Sequence, residues 1–274
     1  MGIEFGLYKQ VNANEGNGLQ TGKGIVWKAA DLHLHTNFSD GSAKPEEIVD
    51  ASIRAGLDAI AITDHDNIES SVLSVDYALR HSLPIEVIPG IEVSTKHGHV
   101  IVLNTFSGIP RGMSLVDTIL YAHQLGGYIV IPHPNLPRSS SVPFQLISTI
   151  INSPDPGLYI DGIEIFNASG ARLQQADKTG LVFGREINVR KFIAKNIHNP
   201  KIGALLAGSD GHSKHVGYGI TAYNSQSVLE AVASKQTFPM KKNTNMLEDL
   251  TELIAMTYSV VISHLDGRME IRHG

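Results

Sequence analysis

The stretch DLHLHTNFSDG, residues 31–41, places two histidines and two aspartates within one short segment. Side chains two residues apart on a β-strand share a face, so Asp31, His33 and His35 are expected to point the same way. Burying such groups costs free energy unless a ligand or a partner satisfies them. The spacing therefore predicts that this strand face lines a metal site, although a single buried histidine is more often a hydrogen-bonded core residue.

The same residue types recur where later apolar runs end. The segment IAITDHD carries Asp64, His65 and Asp66, and further runs end in Glu92, in His133, and in Asp210 with His212. In barrels and open parallel sheets, functional groups collect at the carboxyl ends of strands. Each cluster alone would fit a turn, but their joint occurrence predicts one site. Because the chain has no cysteine, a transition metal there would need histidine and carboxylate ligands.

The elements that must position these residues alternate along the chain. Short, nearly continuous apolar runs read as strands, and amphipathic segments between them read as helices, as in PEEIVDASIRAG at 45–56. There Pro45 suits the first helical turn and Gly56 suits the end of the helix. The alternation predicts an α/β fold with a parallel sheet and helical crossovers.

Composition excludes several classes of protein. The net charge of −5 and a pI near 6.2 do not fit a protein that coats nucleic acid, although a short nucleic-acid substrate remains open. The first residues show no signal peptide, and the longest apolar runs are too short to cross a bilayer. We therefore expect a cytoplasmic protein without a membrane partner, and the sequence leaves its oligomeric state open.

As an ordered set, the segments DLHLHTNFSDG, AIAITDHD, PGIEVS, HVIVLN, IPHP and GSDGHS resemble the motifs of the PHP (polymerase and histidinol phosphatase) family of metal-dependent phosphoesterases. The resemblance covers about residues 29–235, which leaves a lead-in at 1–28 and an extension at 236–274. It implies a distorted (β/α)7 TIM-like barrel that holds two to three divalent ions, which would be zinc, manganese or iron. In the extension, residues 246–265 predict an amphipathic helix.

The resemblance also implies which residues hold the ions. A first ion would be held by His33, His35, Glu92 and Asp210. Glu92 would bridge to a second ion, completed by His99 and His133. Asp40, His65 and His212 would hold the third. His97 lies beside His99 in KHGH, and His99 is preferred because it directly precedes the strand VIVLN.

Residues around these ligands carry further expectations. Asp31 and Asp64 are expected to hydrogen-bond to histidine rings and so fix their tautomers. Glu164 and Asn167, at the end of DGIEIFN, either line the pocket or, in the case of Glu164, support a neighbouring histidine.

The predicted activity is hydrolysis of a small phosphomonoester, such as a nucleotide or a metabolite phosphate, by a metal-bound hydroxide. Arg138 is the candidate contact for the substrate phosphate, and His215 is the candidate proton donor to the leaving oxygen. A nuclease acting on short nucleic acids is the alternative. An amidohydrolase is a weaker one, because Glu92 stands where such an enzyme commonly has a lysine. A non-catalytic metal-binding module is also possible.

Overall fold

The computed structural model of the chain describes residues 19–20, 26–135, 140–168 and 184–241. The strands are β1 Leu19–Gln20, β2 Val26–Leu34, β3 Ala59–Ile62, β4 Glu86–Thr95, β5 Gly98–Leu103, β6 Tyr128–Ile131, β7 Gly162–Asn167, β8 Ala204–Gly208, β9 Gly219–Tyr223 and β10 Thr237–Lys241. The helices are α1 Pro45–Arg54, α2 Glu69–Arg80, α3 Leu115–Gln124, α4 Phe144–Ile151, α5 Gly184–Asn196 and α6 Val228–Ala233.

The strands form one sheet in the order β10-β9-β2-β3-β4-β5-β6-β7-β8, with β1 paired to β2 at one end. Six strands run in the same direction: β2, β3, β4, β6, β7 and β8. Their carboxyl ends therefore meet at one edge of the sheet, as the sequence predicts. Strands β2–β8 supply the seven strands of the expected barrel, which confirms its α/β class.

Strands β5 and β9 depart from the parallel pattern, and β5 matters for the site. It pairs antiparallel with both β4 and β6. A tight turn links β4 to β5, with Thr95 paired to Gly98 and Ser94 paired to His99. Gly98 has φ +118, and a Cβ there would lie 2.6 Å from the backbone of Ser141, so only glycine fits. Because β5 runs backwards, its first residues lie at the edge where the parallel strands end.

Side chains complete the barrel between β8 and β9. Thr221 Oγ1 accepts a hydrogen bond from Ala207 N at 3.0 Å and donates one to Ala207 O at 2.9 Å. These side-chain bonds take the place of regular backbone pairing between β8 and β9, so the ring of strands is nearly closed. The strands can approach because a Cβ on Gly219 would lie 2.2 Å from Gly208 O.

Helices cover the sheet through clusters of buried aliphatic side chains. Helix α1 begins with Pro45, and the Glu47 carboxylate accepts a hydrogen bond from Lys44 N at 3.0 Å. Its buried Ile48 packs with Leu34 of β2 in one cluster. A second cluster contains buried residues of α3, α4 and α5 together with strands β4–β7. This packing fixes the strand ends that carry the functional side chains.

The observed sheet extends beyond the predicted barrel boundaries at 29 and 235. Strand β2 begins at Val26, and β10 at Thr237–Lys241 pairs antiparallel with β9. The amphipathic helix predicted at 246–265 lies outside the described residues, as does nearly all of the lead-in. Among the residues that the structure describes, no helix combines the length and apolar composition needed to cross a lipid bilayer.

Candidate metal centre

All nine residues expected to bind metal lie together at the carboxyl edge of the sheet. Each has a ring nitrogen or carboxylate oxygen within 3.0–3.3 Å of such an atom in another member of the set. Glu92, in the second half of β4, lies at the centre of this cluster and contacts five of its histidines. These are His33, His35, His65, His99 and His133.

The atoms expected to hold the first ion lie around His33 and His35. His33 Nε2, His35 Nε2 and Glu92 Oε2 form a triangle with sides of 3.1, 3.2 and 3.2 Å. Asp210 Oδ1 lies 3.5 Å from His33 Nε2 and 3.2 Å from His35 Nε2. Tetrahedral coordination with bonds of about 2.0–2.1 Å separates the ligand atoms by about 3.3–3.4 Å. The His33, His35 and Glu92 atoms therefore have spacings close to those of three ligands on one zinc-sized ion, and Asp210 adjoins both histidines.

The second oxygen of Glu92 meets the atoms expected for the second ion. Glu92 Oε1 lies 3.0 Å from His99 Nδ1 and 3.2 Å from His133 Nε2. His97 is directed elsewhere, because its Nδ1 accepts a hydrogen bond from Leu115 N at the start of α3. The structure therefore places His99, not His97, beside the bridging carboxylate.

The residues expected for the third ion are more exposed. Asp40 Oδ2 lies 3.1 Å from His212 Nε2 and 3.5 Å from His65 Nε2. His35 Nδ1 also lies 3.6 Å from Asp40 Oδ1, so His35 adjoins this group as well as the first one. The side chain of Asp40 is 50% exposed, whereas that of Glu92 is 1% exposed. The third group is therefore the most open to solvent of the three.

Unsatisfied nitrogens also indicate that the cluster suits cations. Among the residues that the structure describes, His35 Nδ1, His65 Nδ1 and His133 Nδ1 are buried and have no hydrogen-bond partner. Orphaned buried polar atoms are rare and costly. Imidazole and carboxylate together suit zinc, manganese or iron. The donor set thus fits the divalent ions that the sequence implies.

Without bound cations, protons must balance the buried carboxylates. Burial lowers the pKa of His33, but Glu164, Asp210 and Glu92 outweigh it and hold that pKa well above its ordinary value. Burial likewise lowers the pKa of His35, yet its hydrogen bonds with Asp210 and Glu92 raise it to about 9. Burial raises the pKa of Glu92, but the neighbouring histidines hold it well below its usual range. Metal binding must therefore displace protons from these rings.

This proton balance predicts how the stability of the metal-free protein depends on pH. A raised histidine pKa stabilises the fold below about pH 6.5, and that stabilisation is lost as pH rises through about 9 for His35. A depressed pKa of Glu92 contributes stability above about pH 4.5, which is lost at lower pH. For the protein kept metal-free by a chelator, we expect the free energy of unfolding to fall by on the order of a few kcal/mol between about pH 6 and pH 9.5.

Urea unfolding at the two pH values measures this change, with manganese-loaded protein as the comparison. The loaded protein is expected to lose less stability, because deprotonated imidazoles are the form that binds metal. A metal-free protein that gains stability toward pH 9.5 would contradict the proton balance.

Glu164, in the middle of β7, orients His33. Its Oε1 lies 2.8 Å from His33 Nδ1, while its Oε2 accepts hydrogen bonds from His133 N at 2.8 Å and Asn167 Nδ2 at 3.0 Å. A proton on His33 Nδ1 leaves the Nε2 lone pair directed at the cluster, which is the usual arrangement of a metal-ligating histidine. Of the two roles left open for Glu164, the structure supports that of a histidine partner.

Asp31 and Asp64 correct the sequence prediction, because their described hydrogen bonds go to backbone N–H groups and hydroxyls and not to histidine rings. Asp31 accepts from Ser209 N at 3.0 Å and Gly217 N at 2.8 Å. The pairing of β2 with β3 shifts register between Asp31 and Leu34, which interrupts the two-residue alternation behind the prediction. Burial raises the pKa of Asp31 to about 6, although its hydrogen bonds lower it.

Asp64 lies under the loop that leads to Asp40. It accepts hydrogen bonds from Thr36 N at 2.7 Å and from the hydroxyls of Thr36, Ser39 and Ser70. Its carboxylate is fully buried, so these donors replace water around the charge. Asp64 therefore stabilises the loop that carries Asp40, an expected metal ligand, and does not contact a histidine ring in a described hydrogen bond.

Of the two residues expected to contact substrate, His215 lies in the part of the chain that the structure describes and Arg138 does not. His215 lies on the rim of a cavity of about 240 Å³, which is also lined by Asp210, His212 and Tyr218. Arg138 lies outside the described residues.

Arg111, which the sequence did not single out, places its Nε 3.9 Å from Asp66 Oδ2 beside the cluster. Its only sequence signal was a position in the long connection between β5 and α3.

Comparison with known proteins agrees with this arrangement. The family model for the PHP domain matches residues 31–270. The uncharacterized protein MJ1587 of Methanocaldococcus jannaschii is 31% identical over 150 residues, which cover 51% of this chain and 81% of that protein. The 5'-3' exoribonuclease Rnm of Escherichia coli is 38% identical over 65 residues, or 24% of this chain and 22% of the relative.

The fold is similar to that of a two-domain protein from Bacteroides vulgatus that contains a predicted PHP-like metal-dependent phosphoesterase. The superposition has a TM-score of 0.61 at 19% identity and covers 84% of this chain and 69% of the other. At that identity the likeness concerns the fold alone. The match of the family model over most of the chain, together with the clustered histidines and carboxylates, shows that the chain belongs to the PHP family of metal-dependent phosphoesterases and is a hydrolase.

Proposed function

We propose that the protein hydrolyses small phosphomonoesters, such as a nucleotide or a metabolite phosphate, with two to three zinc, manganese or iron ions. The observation that carries this proposal is Glu92, whose two oxygens face separate groups of histidines. Such a bridging carboxylate suits adjacent ions. When bound, these ions would neutralise the charge of the phosphoryl group and activate a water molecule.

The protein groups have separate proposed tasks. His33, His35, Glu92 and Asp210 would hold the first ion. Glu92, His99 and His133 would hold the second, and Asp40, His65 and His212 the third. Glu164 keeps the proton of His33 on Nδ1, away from the ion. His215 is proposed to give a proton to the leaving oxygen, and Arg138 to contact the phosphate.

Two observations support a small substrate. A cavity of about 240 Å³ lies beside Asp210 and His212, next to the proposed proton donor His215. The overall charge of −5 also disfavours long polyanions. Hydrolysis of short nucleic acids is the second candidate, and the local similarity to the exoribonuclease Rnm supports it.

The experiment compares phosphate release from mononucleotides and metabolite phosphates with cleavage of 5'-phosphorylated oligonucleotides of increasing length. We expect kcat/KM to be highest for the monomers. A kcat/KM that rises with oligonucleotide length would favour the nuclease. His65→Ala, folded but without phosphate release, would argue against a non-catalytic metal-binding module, and folded His65→Ala with unchanged release would show that this ligand is not needed.

Arg111 provides a test of substrate binding. Its ion pair with Asp66 is long at 3.9 Å, and its side chain is 79% exposed, so the pair holds it only weakly. We propose that its guanidinium turns toward an anionic substrate. A charge-assisted hydrogen bond contributes about 1.5–3 kcal/mol, so Arg111→Ala is expected to raise KM by about tenfold or more with little change in kcat.

Arg80→Ala is the matched control for Arg111→Ala. Arg80 is 76% exposed and its Nε also contacts an aspartate, at 2.8 Å from Asp76 within α2. Steady-state kinetics should show an unchanged KM for this control. Equal KM values for the two variants would remove Arg111 from the substrate site.

A further inference from the structure

The β8–β9 loop, residues 209–218, carries two of the expected metal ligands and the candidate proton donor His215. Its Asp210 has φ +50, a left-handed conformation that is uncommon for residues other than glycine. Asp210 Oδ1 nevertheless lies 3.2 Å from His35 Nε2 and His212 Nε2 lies 3.1 Å from Asp40. A strained backbone conformation persists only where its surroundings determine it.

One buried carboxylate joins the two ends of this loop. Asp31 Oδ1 accepts the N–H of Ser209 at 3.0 Å, and Asp31 Oδ2 accepts the N–H of Gly217 at 2.8 Å. Asp31 has no exposed surface, so water does not compete for these bonds. Ser209 Oγ adds to the closure by accepting from Tyr218 N at 2.8 Å and Gly219 N at 3.1 Å.

The middle of the loop is attached to the strand and loop that carry other ligands. Gly211 O accepts a hydrogen bond from His35 N at 2.9 Å, and His212 O accepts one from Ser42 N at 2.9 Å. The loop is thus attached at its ends to Asp31 and at its middle to residues beside the expected ligands.

We propose that Asp31 is a positioning residue for the metal centre, which sets the β8–β9 loop so that Asp210 and His212 reach their ions. The role requires no contact between Asp31 and an ion. It rests on the donor set and not on the identity of the substrate. Its tests therefore use metal content and backbone exchange, which stay informative if the proposed phosphomonoester activity is absent.

Asp31→Asn is the sharpest substitution because each carboxylate oxygen of Asp31 accepts from a backbone N–H group, which cannot reverse its polarity, in addition to the contact with the Ser209 side chain. The asparagine amide must turn its NH₂ toward one of these N–H groups, whichever way it rotates. Asp58→Asn is the matched control. Asp58 accepts a single backbone bond, from Ala29 N at 2.8 Å, which an asparagine oxygen can keep.

The first experiment measures manganese and zinc retention against a graded chelator, with ions counted by elemental mass spectrometry. Asp31→Asn is expected to lose at least one ion that the wild type keeps and to bind metal about 10–100-fold more weakly, as for other residues that support metal ligands. Asp58→Asn is expected to match the wild type. Equal metal retention in Asp31→Asn and the wild type would overturn the proposal. Equal metal losses in Asp31→Asn and Asp58→Asn would also overturn it.

Hydrogen exchange of the metal-free wild type keeps the proposal testable if Asp31→Asn does not fold. The amides of Ser209 and Gly217 are expected to exchange at least about tenfold more slowly than that of exposed Lys214 in the same loop. Their protection should survive removal of metal, since Asp31 supplies it. If both amides exchange as fast as Lys214 once metal is removed, the ions hold the loop and Asp31 does not.

Discussion

Replacing Glu92 with glutamine is expected to lower kcat/KM by at least about 10³-fold and to reduce the number of ions bound. The neutral amide removes the negative charge that faces five histidines. Its NH₂ group also turns a donor toward one group of ring nitrogens, so the side chain can no longer join both groups. Metal-dependent charge stabilisation is worth several kcal/mol, and each 1.36 kcal/mol changes a rate tenfold.

Glu86→Gln is the control for this substitution because Glu86 lies on the same strand, β4, at its opposite end. Its Oε2 accepts a long hydrogen bond from Val228 N, at 3.4 Å, and it contacts none of the proposed ligands in a described bond. Kinetics and metal counts of the control should stay close to those of the wild type. A Glu92→Gln variant that retains both its full ion content and its activity would show that Glu92 does not bridge the ions.

The second large effect is expected from Glu164→Gln, which should weaken metal binding about 10–100-fold. The oxygen of the glutamine would face the two donors of His133 N and Asn167 Nδ2, which leaves its NH₂ against His33 Nδ1. His33 would then carry its proton on Nε2, the atom needed for the ion. The opposite rotamer would keep the His33 proton but set two donors against an NH₂.

Chelator competition measures the affinity, and ¹⁵N NMR of the histidine rings reports the tautomer of His33. In the zinc-loaded protein, we expect the His33 ring of the variant to be protonated on Nε2 more often than that of the wild type. A variant with unchanged affinity and an unchanged His33 signal would mean that Glu164 serves packing alone. Glu69→Gln, on the exposed start of α2, is a suitable surface control.

The clustering of the expected metal ligands was predictable because their positions follow from two rules of strand geometry. His33, Glu92 and His133 each lie at or near the end of an apolar run, and the carboxyl ends of parallel strands share an edge. His99 required more than this rule, because it begins a strand. Only the resemblance to a known family selected it, since an apolar run does not reveal that β5 runs antiparallel to β4.

The supporting residues could not be predicted from spacing, because their partners are distant in sequence. Glu164 lies 131 residues from His33, and Asp31 lies 178 and 186 residues from its two amide partners. Short-range alternation suggested that Asp31 would face the histidine rings. The register shift in β2 and the return of the β8–β9 loop over the barrel edge reversed that assignment.

The most direct test of the account is the number of ions per chain, measured by elemental mass spectrometry on protein purified without a metal-affinity tag. The donor groups around Glu92, Asp210 and Asp40 predict about three equivalents of zinc, manganese or iron. The ion expected at Asp40, His65 and His212 should be the first that a chelator removes. One ion or none, persisting after reconstitution with manganese, would contradict the proposed centre.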